Sequence, residues 1–205
     1  MALLFALGSA CFVLGSVPLY FDHVDAAVVG ATFFVGSLLF TSAASLQFHG
    51  AATTGPLFRK QPARLDWWSA GVQWVGTLCF NVSTLAALFT GLSAAQAQKL
   101  VWSPDFYGSA AFLVSSAIAI VSLRVAHAGR HDRRIGRLNM AGSIAFGIAA
   151  VAAFVLPHTG EPISIEWVNL GTALGGVCFF VASVLMMRPA PPATEAMHLE
   201  GAVAR

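Results

Sequence analysis

The stretch VGSLLFTSAA, from Val35 to Ala44, carries a pattern that recurs along this 205-residue chain. The pattern is a glycine, a phenylalanine four residues later, and two small residues seven and eight positions after the glycine. It occurs in six apolar segments, as GSACFVLGS, GSLLFTSAA, GTLCFNVST, GSAAFLVSS, GSIAFGIAA and GGVCFFVAS, which begin at Gly8, Gly36, Gly76, Gly108, Gly142 and Gly175. Such regular internal repetition predicts one structural unit that is used six times.

The spacing of the pattern predicts helix packing. Residues four, seven and eight positions apart lie on one face of an α-helix. Helices in lipid associate mainly through close backbone approach and van der Waals contact, because lipid is as apolar as their side chains. We therefore predict that the six glycines are helix–helix contacts and that each phenylalanine fills the space opposite a glycine. The alternative, that these faces line a substrate path, stays open.

Composition places the chain in a membrane. It is 57% hydrophobic and 10% charged, whereas soluble domains carry about 25% charged residues. Its apolar segments approach the ~20 residues that cross a bilayer as a helix. We predict an all-α bundle of six transmembrane helices, built from three tandem helical hairpins in one domain, 1–188, with a disordered tail, 189–205. The predicted spans are about 2–21, 26–48, 67–90, 106–125, 138–156 and 167–187.

Basic residues fall on one side of this predicted bundle. Ten of the eleven lysines and arginines lie in the second and fourth connections and after the last span, and the remaining one is Lys99. Because basic residues mark the cytoplasmic face, both termini are predicted to be cytoplasmic in a multi-pass protein of the inner (plasma) membrane. The first segment has no basic residue before its apolar run, so we expect a membrane helix there and not a cleaved signal.

Local signals predict the ends of several helices. Ser93 is a candidate cap for a short helix at the outer interface, which extends to Trp102. Pro104 is expected to break that helix, and Asp105 to cap the fourth span. Asp66 is expected to cap the third span.

The paired segments resemble the YrhK-like family of small bacterial membrane proteins. The stretches VGSLLFTSAASLQF (Val35 to Phe48) and VGTLCFNVSTLAAL (Val75 to Leu88) carry the resemblance best. The chain is also similar to uncharacterised actinobacterial integral membrane proteins in its DWW (Asp66 to Trp68) and TGEP (Thr159 to Pro162) stretches. The resemblance implies a fold of paired membrane helices in a bacterial protein, and it implies no activity, cofactor or site residue.

The sequence offers little catalytic chemistry. Away from the segment ends, no ionisable side chain lies in a predicted span, which argues against a proton-driven pump. His127 and His131 have a spacing that could bind a metal, but their arginine-rich surroundings favour a solvated loop. The three cysteines lie in apolar segments without metal-binding or redox spacing. We therefore expect no enzyme, cofactor, metal or nucleic-acid binding.

Four amides form a candidate polar layer or solute lining: Gln47, Gln73, Asn81 and Asn139. Helical rise places Gln47, Gln73 and Asn139 at one depth, about 10 Å to the cytoplasmic side of the repeated phenylalanines. We predict that these three amides meet and hydrogen-bond across helices. The alternatives are that each amide bonds a nearby backbone carbonyl or that together they bind a solute.

Two functional hypotheses follow. The first is a non-enzymatic membrane protein with a structural role or a role exercised through protein partners or lipid. The second is a small channel or uniporter for a neutral solute; a wet path lined by the amides would favour it, and a dry centre would favour the first. Homo-oligomerisation stays open. Anionic lipid headgroups are expected near four arginines, which are Arg130, Arg133, Arg134 and Arg137.

Overall fold

The computed structural model describes residues 1–53 and 63–188, and these residues are almost entirely helical. The helices are α1 (Ala2–Gly15), α2 (Pro18–Phe21), α3 (Ala26–Ala52), α4 (Ala63–Ala86), α5 (Ala94–Ala97), α6 (Ser103–Val125), α7 (Arg130–Ala152) and α8 (Ile165–Met186), with a π-helical turn, Gln98–Trp102, before α6. The described residues contain no strand, only an isolated bridge between Val155 and Pro162. The predicted disordered tail, 189–205, lies outside the described residues.

Four helical stretches in the described part of the chain are long and apolar enough to cross a membrane. They are Ala26–Ala52, Ala94–Val125, Arg130–Ala152 and Ile165–Met186. The chain is therefore a membrane protein built from helices. The shorter α1 has 14 residues, and α4 includes Gln73, Asn81 and several hydroxyl side chains that lower its hydropathy.

The first predicted span, 2–21, is divided in the structure. Helix α1 ends at Gly15, where the Ser16 hydroxyl donates to the Phe12 carbonyl at 2.7 Å. Pro18 follows, and it can begin the single turn of α2 but has no N–H with which to continue α1. The chain thus changes direction before the residues predicted to end the span.

The boundaries of the later helices shift for identifiable reasons. Helix α7 begins at Arg130 instead of residue 138, because arginine is a good helix former and Asp132 suits the first turn. The predicted span counted only its apolar part. The same helix ends at Ala152, since Val155 pairs with Pro162 and turns the chain back. Helix α4 likewise begins at Ala63 and ends at Ala86, not at residues 67 and 90.

The segment before α6 confirms one local prediction and corrects two. The Ser93 hydroxyl accepts from the Gln96 N–H at 3.3 Å, and the Gln96 side chain accepts from the Ser93 N–H at 2.9 Å. Pro104 does not break the helix; it lies in the first turn of α6, where its missing N–H is tolerated. Asp105 lies in that first turn as well and is not a cap. A continuous helical stretch therefore runs from Ala94 to Val125.

The six long helices of the described part of the chain, here α1, α3, α4, α6, α7 and α8, form a closed ring. Each packs against the long helices that precede and follow it in the chain, and α1 also packs against α8. Large aliphatic side chains cover the outside of the ring; Val35, Val75, Val114 and Leu174 are each about half exposed. The repeated glycines and phenylalanines are buried on the inside. The fold therefore brings the repeated glycine and phenylalanine residues of six helices together around a common centre.

Candidate functional site at the centre of the helix ring

The centre of the ring is filled by phenylalanine. The six repeated phenylalanines are between 2% and 7% exposed and belong to one hydrophobic cluster, which Phe5 joins. They are Phe12, Phe40, Phe80, Phe112, Phe146 and Phe179. Six residues that are far apart in the sequence thus occupy equivalent places in the fold.

Phenylalanines from α1, α4 and α7 form a first triangle. The ring centroids of Phe12 and Phe80 are 6.4 Å apart, those of Phe12 and Phe146 are 5.8 Å apart, and those of Phe80 and Phe146 are 6.0 Å apart. Edges of nearly equal length are what a quasi-threefold arrangement of helical hairpins requires.

Phenylalanines from α3, α6 and α8 form a second triangle beside the first. The centroid distances are 6.1 Å for Phe40 and Phe112, 5.9 Å for Phe40 and Phe179, and 5.6 Å for Phe112 and Phe179. The two triangles also touch within each hairpin, with centroids 5.1 to 5.6 Å apart. The separations fall in the range of favourable aromatic contacts.

The repeated glycines make this arrangement possible. A Cβ atom placed on Gly76 would lie 2.9 Å from the Phe112 ring, and one on Gly108 would lie 3.2 Å from the Phe80 ring. Each would also lie 3.0 to 3.1 Å from the carbonyl oxygen of the other glycine. The reciprocity has a geometric cause: a helical side chain leans toward the N-terminus of its helix, so each phenylalanine returns to the level of its own glycine and meets the antiparallel partner there. Gly8 pairs in the same way with Gly36, and Gly142 with Gly175.

Buried hydroxyls surround the phenylalanine centre, and their recurrence in the repeat was not predicted from the sequence. In five of the six repeats the residue after the glycine is serine or threonine, and all five are buried. The Ser37 hydroxyl lies 2.9 Å from that of Thr84, which links α3 to α4. The Ser143 hydroxyl lies 2.9 Å from that of Ser116, which links α7 to α6. The recurrence of a hydroxyl at one position of the repeat was the signal that could have identified them.

A reciprocal serine pair joins α4 and α6. The Ser69 hydroxyl donates to the Ser115 carbonyl at 3.0 Å, and the Ser115 hydroxyl donates to the Ser69 carbonyl at 2.8 Å. Both side chains are buried. Hydrogen bonds of this kind commonly hold membrane helices together, so the pair has a structural explanation.

The predicted amide layer forms only in part. The Gln73 amide lies 3.4 Å from the Ser115 hydroxyl, and Asn81 lies 3.1 Å from the Thr41 hydroxyl, so two amides are within hydrogen-bonding distance of adjacent helices. Within residues 1–53 and 63–188, however, no hydrogen bond joins Gln47, Gln73 and Asn139 to one another, contrary to the prediction. Of these three amides, Gln73 instead lies near the Ser115 hydroxyl of the adjacent helix α6.

Two carboxylates lie closer to the bundle than the sequence analysis expected. Asp66 does not cap α4 but lies in its first turn, where it accepts from the Ser122 hydroxyl on α6 at 2.6 Å. Asp105 is partly buried inside the continuous helical stretch Ala94–Val125. Asp105 therefore lies in the first turn of α6, next to residue 106, where the fourth span was predicted to begin.

The described residues offer packing and hydrogen bonding, but few groups for catalysis. No group of three or more His, Cys, Asp or Glu side chains in the described ranges is arranged to hold a metal ion. The three cysteines are free and only partly buried, and they lie on separate helices, α1, α4 and α8. The centre of the ring is apolar and carries no reactive group.

Comparisons with known proteins add no functional assignment. No protein-family model matches this chain, and no curated protein or solved structure matches it either. The resemblance to the YrhK-like family therefore stays a prediction.

Proposed function

We propose that the chain crosses the inner (plasma) membrane six times, with both termini in the cytoplasm. Its role is non-enzymatic, either structural or exercised through lipid and protein partners at its surface. The pairing of glycines supports the crossing of the two helices that are less clearly apolar. Gly8 of α1 meets Gly36 of α3, and Gly76 of α4 meets Gly108 of α6. Each pair sets a shorter or more polar helix at the depth of a long apolar one.

The phenylalanine centre carries this proposal. Two triangles of aromatic rings, each 2% to 7% exposed, fill the axis along which a solute would have to pass. The hydroxyls and amides around them mostly bond one another or backbone carbonyls. A channel or uniporter for a neutral solute would need a polar path in the place that these rings occupy, so a non-transporting role fits better.

Lipid contact on the cytoplasmic side is part of the proposal. Four arginines with spacings of three, four and seven residues share one face at the start of α7, and all four are exposed. Arginines at this position attract anionic headgroups by about 1 kcal/mol each. They are Arg130, Arg133, Arg134 and Arg137.

Cysteine labelling tests the topology. We expect Asp22→Cys and Glu161→Cys to react in whole cells with a membrane-impermeant thiol reagent, and Asp132→Cys to react only after the cells are opened. All three positions are exposed carboxylates, so local access is matched. The native cysteines would first be replaced by alanine. Labelling of Asp132→Cys from outside, with protection of the other two, would reverse the proposed orientation.

Solute flux tests the closed centre. Purified protein in unilamellar vesicles is expected to leave water and glycerol permeability equal to that of protein-free vesicles, as measured by stopped-flow light scattering. The physical reason is that the aromatic rings leave no polar path along the axis. Permeability that rises in proportion to the amount of protein would favour the uniporter and overturn the proposal.

A further inference from the structure

An apolar groove runs along the seam between α6 and α7, the place where the second helical hairpin meets the third. It has a volume of about 570 Å³. Its lining includes two small residues, Ala110 and Gly147, and larger aliphatic side chains such as Leu113 and Ile148. A Cβ atom placed on Gly147 would lie 3.2 Å from the Leu113 side chain, so these two helices are in close contact at the groove.

The length of the groove matches one leaflet of a bilayer. Along α7 it extends from Ile144 to Ala152, which at 1.5 Å per residue is about 12 Å. Half of a hydrocarbon core of ~30 Å is about 15 Å. One end is lined by Ser164 and Trp167 at the start of α8, where a tryptophan suits the headgroup level. The other end lies near the level of the phenylalanine centre, since Ile144 is two residues from Phe146.

A carboxylate is held at the headgroup end of the groove. The Ser164 hydroxyl, which lines the groove, donates to a carboxylate oxygen of Glu166 at 2.6 Å. The backbone N–H of Trp167 donates to the same serine oxygen at 3.3 Å, so the serine is fixed as the cap of α8. Glu161 lies in the connection before Ser164, Glu166 lies in the first turn of α8, and Lys99 is the one Lys or Arg on this side of the bundle.

We propose that this groove binds one acyl chain of an outer-leaflet phospholipid whose headgroup carries an ammonium, as ethanolamine does. The chain fills the apolar groove and the ammonium lies beside Glu166. An anionic headgroup such as glycerol phosphate would meet a like charge there and be disfavoured. The inference rests on the proposed topology, because that topology puts Glu166 at the outer surface.

The headgroup preference is tested by native mass spectrometry. The full chain would be released from nanodiscs that contain equal amounts of phosphatidylethanolamine and phosphatidylglycerol with identical acyl chains. We expect the wild type to retain the ethanolamine lipid in about threefold excess, the range of a single exposed ion pair. Glu166→Gln should bring the ratio close to one, and Glu161→Gln, the matched control at another exposed carboxylate in the connection before α8, should leave it unchanged. An unchanged ratio in Glu166→Gln would overturn the assignment of the headgroup.

The acyl chain is tested by filling the groove. Ala110→Phe should reduce retained lipid at least twofold, whereas Ala117→Phe, on an exposed alanine of the same helix outside the groove, should not. A second measurement leaves the packing of the groove unchanged. Lipid brominated along its acyl chain should quench the fluorescence of Trp167, which is the part of the emission that is lost in Trp167→Phe.

Other outcomes separate this inference from the proposed function. Absence of Trp167 quenching would overturn the groove as a lipid site and leave the topology intact. A native mass spectrum in which the protein is a homodimer without bound lipid would do the same. Failure of the labelling at Glu161→Cys would instead overturn the topology, whatever the lipid measurements show.

Discussion

Replacing Phe179 with alanine is expected to lower the free energy of unfolding by about 3 kcal/mol, the largest effect we predict for a single residue. Phe179 is 6% exposed, and its ring contacts those of Phe40, Phe112 and Phe146 at centroid distances of 5.4 to 5.9 Å. Removing it leaves a cavity among side chains from four helices, α3, α6, α7 and α8. We expect the lower end of the range for buried phenylalanine, because the unfolded helices stay in lipid and the transfer term is small.

The adjacent residue supplies the matched control. Phe180 is 39% exposed on the outside of α8, where lipid can fill the space left by a truncated side chain. Phe180→Ala is therefore expected to cost less than about 1 kcal/mol. Unfolding in mixed micelles, titrated with a denaturing detergent and followed by circular dichroism, would measure both variants. Equal losses in the two would contradict the view that the aromatic centre holds the ring together.

Leucine at Gly142 is expected to destabilise the protein by about 2–3 kcal/mol, in the upper part of the usual range for overpacking. A Cβ atom there would already lie 2.9 Å from the Phe179 ring and 3.1 Å from the Gly175 carbonyl oxygen. The ring can rotate away, but the carbonyl belongs to the backbone of α8. The two helices would have to separate at the point of their closest approach.

Gly50→Leu is the control for replacing glycine with leucine at a helical position that has no close helix–helix contact. Gly50 also lies within a helix, α3, but a Cβ atom there meets nothing within 4 Å. Leucine also favours helix over glycine by up to about 1 kcal/mol, so Gly50→Leu should be neutral or slightly stabilising in the same detergent titration. A loss at Gly50 as large as that at Gly142 would show that close approach of α7 and α8 is not the cause.

Repetition made the centre of the fold accessible to sequence reasoning. The pattern around Gly36 and Phe40 showed which helix faces are alike, and helix geometry then implied that a phenylalanine would lie opposite a glycine. Neither step needs a long-range contact to be known. The contact between α1 and α8, which closes the ring, could not be predicted in this way, because a closed ring and an open row of hairpins would have the same sequence pattern.

Helix boundaries and hydrogen-bond partners were less accessible for local reasons. Hydropathy detects the apolar part of α7 but not the turns that start at Arg130, since those turns lie outside the apolar stretch. The sequence sets the depth of Gln73 along α4, but its partner also depends on how α4 and α6 are rotated about their own axes. Depth along a helix was therefore a poor guide to the partner of Gln73, which is Ser115. The repeat pattern identifies Ser115 only as a small residue.

The seam between α1 and α8 has a consequence for the order in which the chain is made. Gly176 of α8 packs against α1, where an added Cβ atom would lie 2.8 Å from the Val13 side chain and 3.2 Å from the Ser9 carbonyl oxygen. Because α1 is synthesised before α8, this face of α1 lacks its packing partner until α8 has been made. Until then the second triangle also lacks Phe179. A chain whose synthesis stops before α8 therefore has an open arc of helices in place of a closed ring, and the edge of that arc at α1 lacks its packing partner.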